Sequence, residues 1–324
     1  MKKYLLVLTV GCLNLFRVDA QDPHFTQFFA APFTVNPAYT GVFNGQVRMM
    51  ANYRTQWQNA IDPFTTAIVA GDFKIGSNSS EGQNPFNVGI QMMNDRSMKN
   101  AFKSNYLSAT TSYHVTMDDA GFHSLGAGLM ATYADRRIDV SSLSFDAQFT
   151  SGGFDIVNLS NNEATLQNLK PFFTLGAGLL YRYDNWESGD FIDVGISGFH
   201  FTQPQQSVFN DSASILPLRW SAQLGYQKQL QSDVVINAKF LFQHQAKVQY
   251  LLGGLSVGKI FGERRDLIGV GCWYRSADAI SPYVFYDFNG LQVGLSYDVT
   301  VSDLTKGPKP ARSMEMSLQW RLGR

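Results

Sequence analysis

The feature that most constrains the fold is a two-residue alternation of apolar and polar side chains, which recurs in segments of about ten residues. Near the C-terminus, apolar side chains occupy every second position of 314–322, and Glu, Ser, Gln and Arg fill the positions between them. The same alternation runs through 123–136, 171–183, 217–230 and 291–301. Because successive side chains of a strand point to opposite faces, each segment predicts a strand with one apolar face.

Two all-β architectures fit such strands, a soluble sandwich and a membrane barrel. The segments span about 9–13 residues, which exceeds the usual 5–6 of soluble strands and matches the roughly 9–11 of a tilted membrane strand. Aromatic residues such as Tyr53, Trp57 and Trp320 lie near segment ends, and the polar positions carry Gln, Asn, Ser, Gly and isolated charges. This pattern favours a transmembrane antiparallel up-and-down β-barrel, with the sandwich as the alternative.

About 14 such segments can be counted, an even number that places both termini of the mature chain, Gln21 and Arg324, on the periplasmic side. The predicted strands are 47–56, 65–75, 86–95, 103–115, 123–136, 171–183, 190–201, 217–230, 233–243, 246–259, 266–276, 280–288, 291–301 and 313–322. Short connections at 231–232, 261–265 and 289–290 alternate with longer ones at 137–170, 202–216 and 302–312. Short periplasmic turns and long outer loops are typical of bacterial barrels.

The N-terminus carries the pattern of an export signal. Lys2 and Lys3 precede an apolar stretch, and Val18 and Ala20 suit a cleavage site after residue 20. A lipoprotein signal ending at Cys12 is the alternative. The chain therefore divides into a signal peptide at 1–20, an N-terminal periplasmic or plug-like segment at 21–46, and an outer-membrane barrel at 47–324.

Composition and motifs argue against nucleic-acid binding, metal binding and catalysis. Twenty-six basic residues balance 26 acidic ones, which excludes the basic footprint of a nucleic-acid-binding protein. The five His and two Cys show no metal-ligand spacing, and no nucleophile motif is present. Two Gly-Ala-Gly runs, at 126–128 and 176–178, lie inside predicted strands rather than in phosphate-binding turns. We predict no catalytic residue, no metal and no cofactor.

Several polar residues of the strands are candidates for lining the lumen. They are either ordinary, mutually paired lumen charges or a surface that recognises a guest segment, and the sequence leaves both interpretations open. The candidates are Gln223, Lys239, Gln292, Asp298, Glu315 and Arg321.

The segment at 21–41 is the most distinctive part of the chain. Three prolines within it oppose a regular strand or helix, yet five aromatic residues make it too apolar for a free tail. We predict that it packs inside or beneath the barrel, and a flexible linker is the alternative.

This segment also resembles the start of a known family. Gln-Asp-Pro-x-Phe-Thr-Gln-Phe after a signal peptide, followed by Asn-Pro-Ala-x-x-Gly, resembles the PorP/SprF family of type IX secretion system outer-membrane proteins. The matching positions are Gln21, Asp22, Pro23, Phe25, Thr26, Gln27, Phe28, Asn36, Pro37, Ala38 and Gly41. With Phe29, these are the residues that we expect to form the family motif and a partner-docking element.

The resemblance implies a non-enzymatic barrel that serves a large secreted, adhesin-like protein with a C-terminal sorting domain. It implies export or surface attachment of that cargo, including in gliding motility, and contact with the translocon or its periplasmic ring components. The expected surroundings are outer-membrane lipid. A general or solute-specific porin is the alternative function.

Overall fold

The computed structural model describes residues 22–59, 62–76, 86–139, 143, 149–150, 153–154, 169–206, 215–302 and 311–323. The predicted signal peptide and the motif residue Gln21 lie outside these residues. Large parts of the three long connections also lie outside them.

Fourteen strands of the described chain form one closed antiparallel barrel in which every strand pairs with its neighbours along the chain. The barrel strands are β1 (Val47–Gln58), β2 (Phe64–Ile75), β3 (Phe86–Ser97), β4 (Phe102–Thr116), β5 (His123–Ile138), β8 (Phe172–Asn185), β9 (Asp190–Phe199), β10 (Arg219–Gln229), β11 (Val234–Gln245), β12 (Val248–Phe261), β13 (Asp266–Arg275), β14 (Ala279–Phe288), β15 (Leu291–Thr300) and β16 (Arg312–Leu322). The pairing of β1 with β16 closes the barrel. A separate two-stranded sheet with two residues in each strand, β6 (Phe149–Thr150) and β7 (Gly153–Phe154), follows β5.

The observed strand ends lie within about two residues of the predicted ones. The prediction of a 14-stranded up-and-down barrel is therefore confirmed, and the sandwich alternative is wrong.

The polarity of the barrel is the reverse of that of a soluble protein. Along β16, Ser313 and Glu315 are 2% and 3% exposed, whereas Met314 and Met316 are 55% and 43% exposed. Polar residues thus face the lumen, and apolar residues form the outer surface. Such an outer face suits contact with lipid.

The two ends of the barrel differ in their connections. At the proximal end, where β1 begins and β16 ends, the described turns are short. Asn289 and Gly290 form one of them, with φ angles of 47° and 85°. These left-handed angles identify the tight type I′ hairpin that such a dipeptide favours. The opposite, distal end carries the long connections, and it also carries tight turns at 246–247 and 276–278.

The helices that the structure describes are single 3₁₀ turns of three residues, and none has the length or the apolar character of a membrane span.

The chain ahead of β1 runs through the lumen from one end to the other. Asp22 contacts Gln245 at the distal end of β11, whereas Gly323 lies beside Gln46 at the proximal end. The even strand count predicts both ends of the mature chain on one side of the membrane. Instead, their described neighbours Asp22 and Gly323 lie at opposite ends, because the proline-interrupted segment crosses the barrel before β1 starts.

Candidate functional site

The candidate functional site is the lumen together with residues 22–41, which we term the plug. Three 3₁₀ turns shape the plug: Phe28–Ala30, Pro32–Thr34 and Pro37–Tyr39. A proline opens the last two, at the helical position where an N–H is not needed. The Asn36 side chain caps the third turn by accepting a hydrogen bond from Ala38 N at 2.8 Å. Local turn chemistry therefore folds the plug without a strand or a long helix.

Ionic contacts hold the distal end of the plug. The Asp22 carboxylate lies 2.6 Å from His200 Nε2 and 3.1 Å from Arg219 Nη1. Burial opposes ionisation of Asp22, but the adjacent His200 and Arg219 side chains outweigh burial and hold the pKa of Asp22 well below its usual value. Burial and the nearby Arg54 and Arg275 lower the pKa of His24 well below its usual value, so His24 is neutral at pH 7.

A buried charge cluster lies beside Thr26 and Gln27 of the plug. Asp298 on β15 accepts from Arg275 Nη2 at 2.7 Å and from Arg54 Nη2 at 3.1 Å. Arg275 Nη1 also donates to Thr26 Oγ1 at 2.7 Å. Glu315 on β16 accepts from the backbone N–H groups of Thr26 and Gln27, at 2.8 and 2.9 Å. Asp278 also pairs with Arg275, at 2.5 Å from Nε. Both arginines therefore have carboxylate partners beside the plug backbone, as buried charges require.

The Gln27 side chain is fully enclosed and satisfied by the same wall. Its Nε2 donates to Ser296 Oγ at 3.0 Å and to the carbonyl of Glu315 at 3.1 Å. Its Oε1 accepts from Ser317 Oγ at 2.5 Å. A side chain at Gly294 would begin only 2.7 Å from Gln27 Oε1, so this glycine makes the approach possible.

Glycines on the opposite wall seat the turn at Asn36. A Cβ added at Gly178 would lie 2.0 Å from Asn36 Oδ1, and one at Gly128 would lie 2.3 Å from the Ala38 nitrogen. Asn36 Nδ2 donates to the carbonyls of Leu179 and Ile196, at 3.0 and 3.2 Å. The two Gly-Ala-Gly runs therefore lie in strands, as predicted, and one glycine of each supports the plug.

The plug aromatics pack against two parts of the wall. Phe25 and Phe33 join a cluster with Met50 and Ile68 on β1 and β2. Phe28 packs in a second cluster on the other side, which contains Trp273 on β13 and Tyr283 on β14, and the Phe29 ring lies against both of these residues. The prediction that this segment packs inside or beneath the barrel thus describes the observed packing better than the alternative of a flexible linker.

The plug leaves the lumen at the proximal end. Tyr39 donates its hydroxyl to Asp193, and burial together with this carboxylate raises the pKa of Tyr39. Gly41, with a left-handed φ of 77°, donates its N–H to Asp72 Oδ2 at 2.7 Å. Arg48 pairs with the same carboxylate at 2.7 Å and donates to the Tyr39 carbonyl at 3.0 Å.

The predicted lumen residues fall into two groups. Asp298 and Glu315 hold the plug, as described above. Gln223, Lys239, Gln292 and Arg321 line a cavity of about 670 Å³ in the proximal half of the lumen. Arg54, Asn52 and Ser317 also contact the plug or its charge cluster, and we had not singled them out. Their positions on the polar side of alternating strands could have identified them.

The described residues contain no group of three or more His, Cys, Asp or Glu side chains arranged to hold a metal ion.

Fold and site together define a class: an outer-membrane β-barrel whose lumen is occupied by its own N-terminal segment. The family model for the type IX secretion system membrane protein PorP/SprF matches residues 17–320. The chain belongs to this family, as the N-terminal motif indicated.

Solved structures resemble the barrel in fold. The toluene transporter TbuX of Ralstonia pickettii is 10% identical, with a TM-score of 0.51 over 90% of this chain and 93% of that chain. The toluene transporter TodX of Pseudomonas putida is also 10% identical, with a TM-score of 0.50 over 94% of this chain and 98% of that chain. A search of curated proteins finds no match.

Proposed function

We propose that this barrel acts without catalysis as the partner of a large secreted protein that carries a C-terminal sorting domain. It supports export of that cargo, its attachment to the cell surface, or both, and in a gliding bacterium the cargo is an adhesin. Membership of the PorP/SprF family supports a role within the type IX secretion machinery.

The occupied lumen is the observation that carries the proposal. Thr26, Gln27, Asn36 and Phe33 of the plug are completely buried inside the barrel. A diffusion porin instead keeps a water-filled channel along its lumen. The occupied lumen therefore favours a docking component over the porin alternative. At 10% identity the toluene transporters share only the fold, so no substrate of this chain is inferred from them.

We assign the family motif to holding the plug in place. The side-chain amides of Gln27 and Asn36 donate hydrogen bonds to the barrel wall. They are therefore not free to contact another protein. Direct partner contact is better suited to the proximal end, where the cavity opens. We propose that this end faces the periplasm and the ring components of the translocon, because short turns are typical of the periplasmic side.

Cysteine labelling tests the orientation. Lys247 lies in a distal turn and Asn289 in a proximal turn, and both are exposed. In a background with Cys272→Ser, a membrane-impermeant maleimide should label Lys247→Cys in intact cells and should label Asn289→Cys only after the outer membrane is permeabilised. The reverse labelling order would contradict the proposed orientation.

Cell-surface display of the cargo tests the function. Replacing Phe25, Phe28 and Phe29 together with Ala should loosen the plug and abolish display, while the barrel still migrates as a heat-modifiable band. Phe173→Ala is the matched control, since Phe173 faces outward and is 68% exposed. Normal display by a heat-modifiable triple variant would refute a functional role for the plug.

Planar bilayers test the porin alternative. The purified wild-type protein should show no steady solute conductance, because the plug occupies the lumen. A steady conductance in the wild-type protein would instead support the porin.

A further inference from the structure

We propose that the proximal cavity is a binding site for a carboxylate attached to an apolar or aromatic group, with Lys239 as its cationic partner. This inference goes beyond the proposed function, since it concerns a ligand site that exists whichever cargo the barrel serves.

Lys239 differs from the paired charges around it. Arg48 pairs with Asp72, Arg182 lies 3.6 Å from Asp193, and Arg321 pairs with Asp287. In the part of the chain that the structure describes, no carboxylate lies within 4.0 Å of the Lys239 ammonium. Its one specific contact there is the face of the Phe29 ring, 4.7 Å from Nζ to the ring centre.

The strand register places Lys239 between two glycines. Its partner on β10 is Gly225, and its partner on β12 is Gly254. The Trp273 ring lies over Gly254, with Cε3 2.5 Å from the position of a Cβ there. The Asp193 carboxylate lies over Gly225, but it is already engaged by the Tyr39 hydroxyl and by Arg182. Among the residues that the structure describes, Asp193 therefore acts on Lys239 only at longer range, and no carboxylate pairs with the ammonium directly.

Two further donors face the same cavity without partners. Gln223 is 4% exposed and Trp273 is 1% exposed. Among the described residues, neither the Gln223 side-chain amide nor the Trp273 indole N–H has a hydrogen-bond partner, although both residues line the cavity. Buried polar groups are normally paired, so such orphans call for an explanation.

The three donors are neighbours on the wall. Trp273 pairs with Gly254, and Gly254 pairs with Lys239. Lys239, Gly254 and Trp273 therefore lie in one row across β11, β12 and β13. Gln223 pairs with Leu241, two residues beyond Lys239 on the same face, which makes it a diagonal neighbour. A carboxylate is the anion that an unpaired ammonium binds most strongly, and the Trp273 indole N–H and the Gln223 amide are further donors on the wall of the same cavity.

The rest of the cavity suits an apolar body attached to that carboxylate. Phe28, Phe29, Tyr283 and Phe285 form one side of it. Its volume of about 670 Å³ falls within the ~300–1,000 Å³ of typical ligand sites. A free aromatic acid and the aromatic C-terminus of a polypeptide offer the same chemistry.

The test uses the purified full barrel in nanodiscs and three probes: 4-phenylbutyrate, the peptide acetyl-Gly-Phe-Phe with a free carboxylate, and the same peptide as its C-terminal amide. Amine acetylation at Lys239, followed by mass spectrometry, reports occupancy, and calorimetric titration reports affinity. We expect at least one carboxylate probe to bind and to slow Lys239 acetylation at least tenfold, while the amide does not. Protection by phenylbutyrate indicates a free acid as the source, and protection by the peptide alone indicates a polypeptide end.

Variants identify the site. Lys239→Met should weaken carboxylate binding at least tenfold, and heat-modifiable migration verifies that the barrel is folded. Lys247→Met, in an exposed distal turn on the same strand pair, is the control and should bind like the wild type. Equal protection by the peptide amide, protection by no probe, or unchanged binding in folded Lys239→Met would overturn the proposal. The wild-type protection experiment decides the question even if a variant does not fold.

Discussion

Removing the Glu315 carboxylate should release the distal part of the plug, around Thr26 and Gln27, while leaving the barrel closed. Glu315 accepts three hydrogen bonds, from the backbone of Thr26 and Gln27 and from Asn52 Nδ2 at 2.9 Å. Its Oε2 also lies 3.9 Å from Arg54 Nε. In Glu315→Ala, the two plug amides lose their acceptor, and Asp298 remains as the ion-pair partner of Arg54 among the described residues.

The size of the effect follows from these contacts. Removing one partner of a buried, hydrogen-bonded charge typically costs about 3–5 kcal/mol. One of the three hydrogen bonds belongs to the wall residue Asn52, so we assign about 3 kcal/mol to plug docking. At 1.4 kcal/mol per factor of ten, the population of the undocked segment should rise about 100-fold.

Hydrogen–deuterium exchange of the barrel in nanodiscs measures this population directly. Peptides that contain the Thr26 and Gln27 amides should exchange about 100-fold faster in Glu315→Ala, at fixed pH and temperature. Glu315→Gln retains one acceptor oxygen, so it should have a smaller effect. Glu263→Ala, in an exposed proximal turn, should have none. Wild-type exchange rates at Thr26 and Gln27 in a closed Glu315→Ala barrel would refute the assignment of docking energy to this carboxylate.

Three further predictions concern the lipid face, the glycine seat and pH. Leu295→Arg, on the outward face and 48% exposed, should lower the free energy of unfolding by about 2–4 kcal/mol, whereas Gln292→Arg on the cavity side of the same strand should cost far less; equal costs in urea titrations would contradict the assigned facing. Gly178→Leu should expel the turn at Asn36, since even a Cβ would lie 2.0 Å from Asn36 Oδ1. Stepwise conductance in planar bilayers should then appear. A Gly178→Leu barrel without conductance would argue against a role of Gly178 in holding this turn. The pKa of His24 is lower in the docked plug than in the released one, so protonation of His24 favours release. Docking should therefore weaken as pH falls below the usual histidine pKa of about 6.5. Amide exchange rates of the plug, corrected for the intrinsic effect of pH on exchange, should show this in the wild type and not in His24→Phe.

The barrel could be predicted from sequence because its cause is local. Lipid on one face and a polar lumen on the other impose alternating polarity within each strand, so Met314 and Glu315 report their facing without any knowledge of distant residues. Turn signals such as Asn289-Gly290 then fix where strands end. This is why the predicted boundaries deviate by only about two residues.

The course of the plug could not be predicted in the same way. Its contacts join residues far apart in the chain: Gln27 and Ser296 are separated by 269 positions, and no periodicity within the plug encodes such a pairing. The aromatic content indicated burial, but it could not distinguish packing inside the barrel from packing beneath it. The direction of the plug, with Asp22 at the distal end, depends on His200 and Arg219, which lie in different parts of the sequence.

One signal of the plug was nevertheless present in the strands. Gly128 and Gly178 occupy lumen-facing positions where the alternation elsewhere places polar side chains. A glycine inside a strand often marks the close approach of another backbone. Two such glycines in paired strands, opposite each other in the register of β5 and β8, therefore predict that something packs against that wall.

The two aromatic clusters indicate that plug and barrel depend on each other for stability. Phe25 covers Met50 and Ile68 on one side of the barrel, and Phe28 covers Trp273 on the other. Without the plug, these apolar wall residues would face lumen water, and the buried charge cluster would lose the backbone groups that it binds. Complete deletion of the plug therefore removes apolar burial from both sides of the barrel at once. Single substitutions at Glu315 or Gly178 leave most of that burial in place, so they separate the role of a docked plug from its contribution to folding.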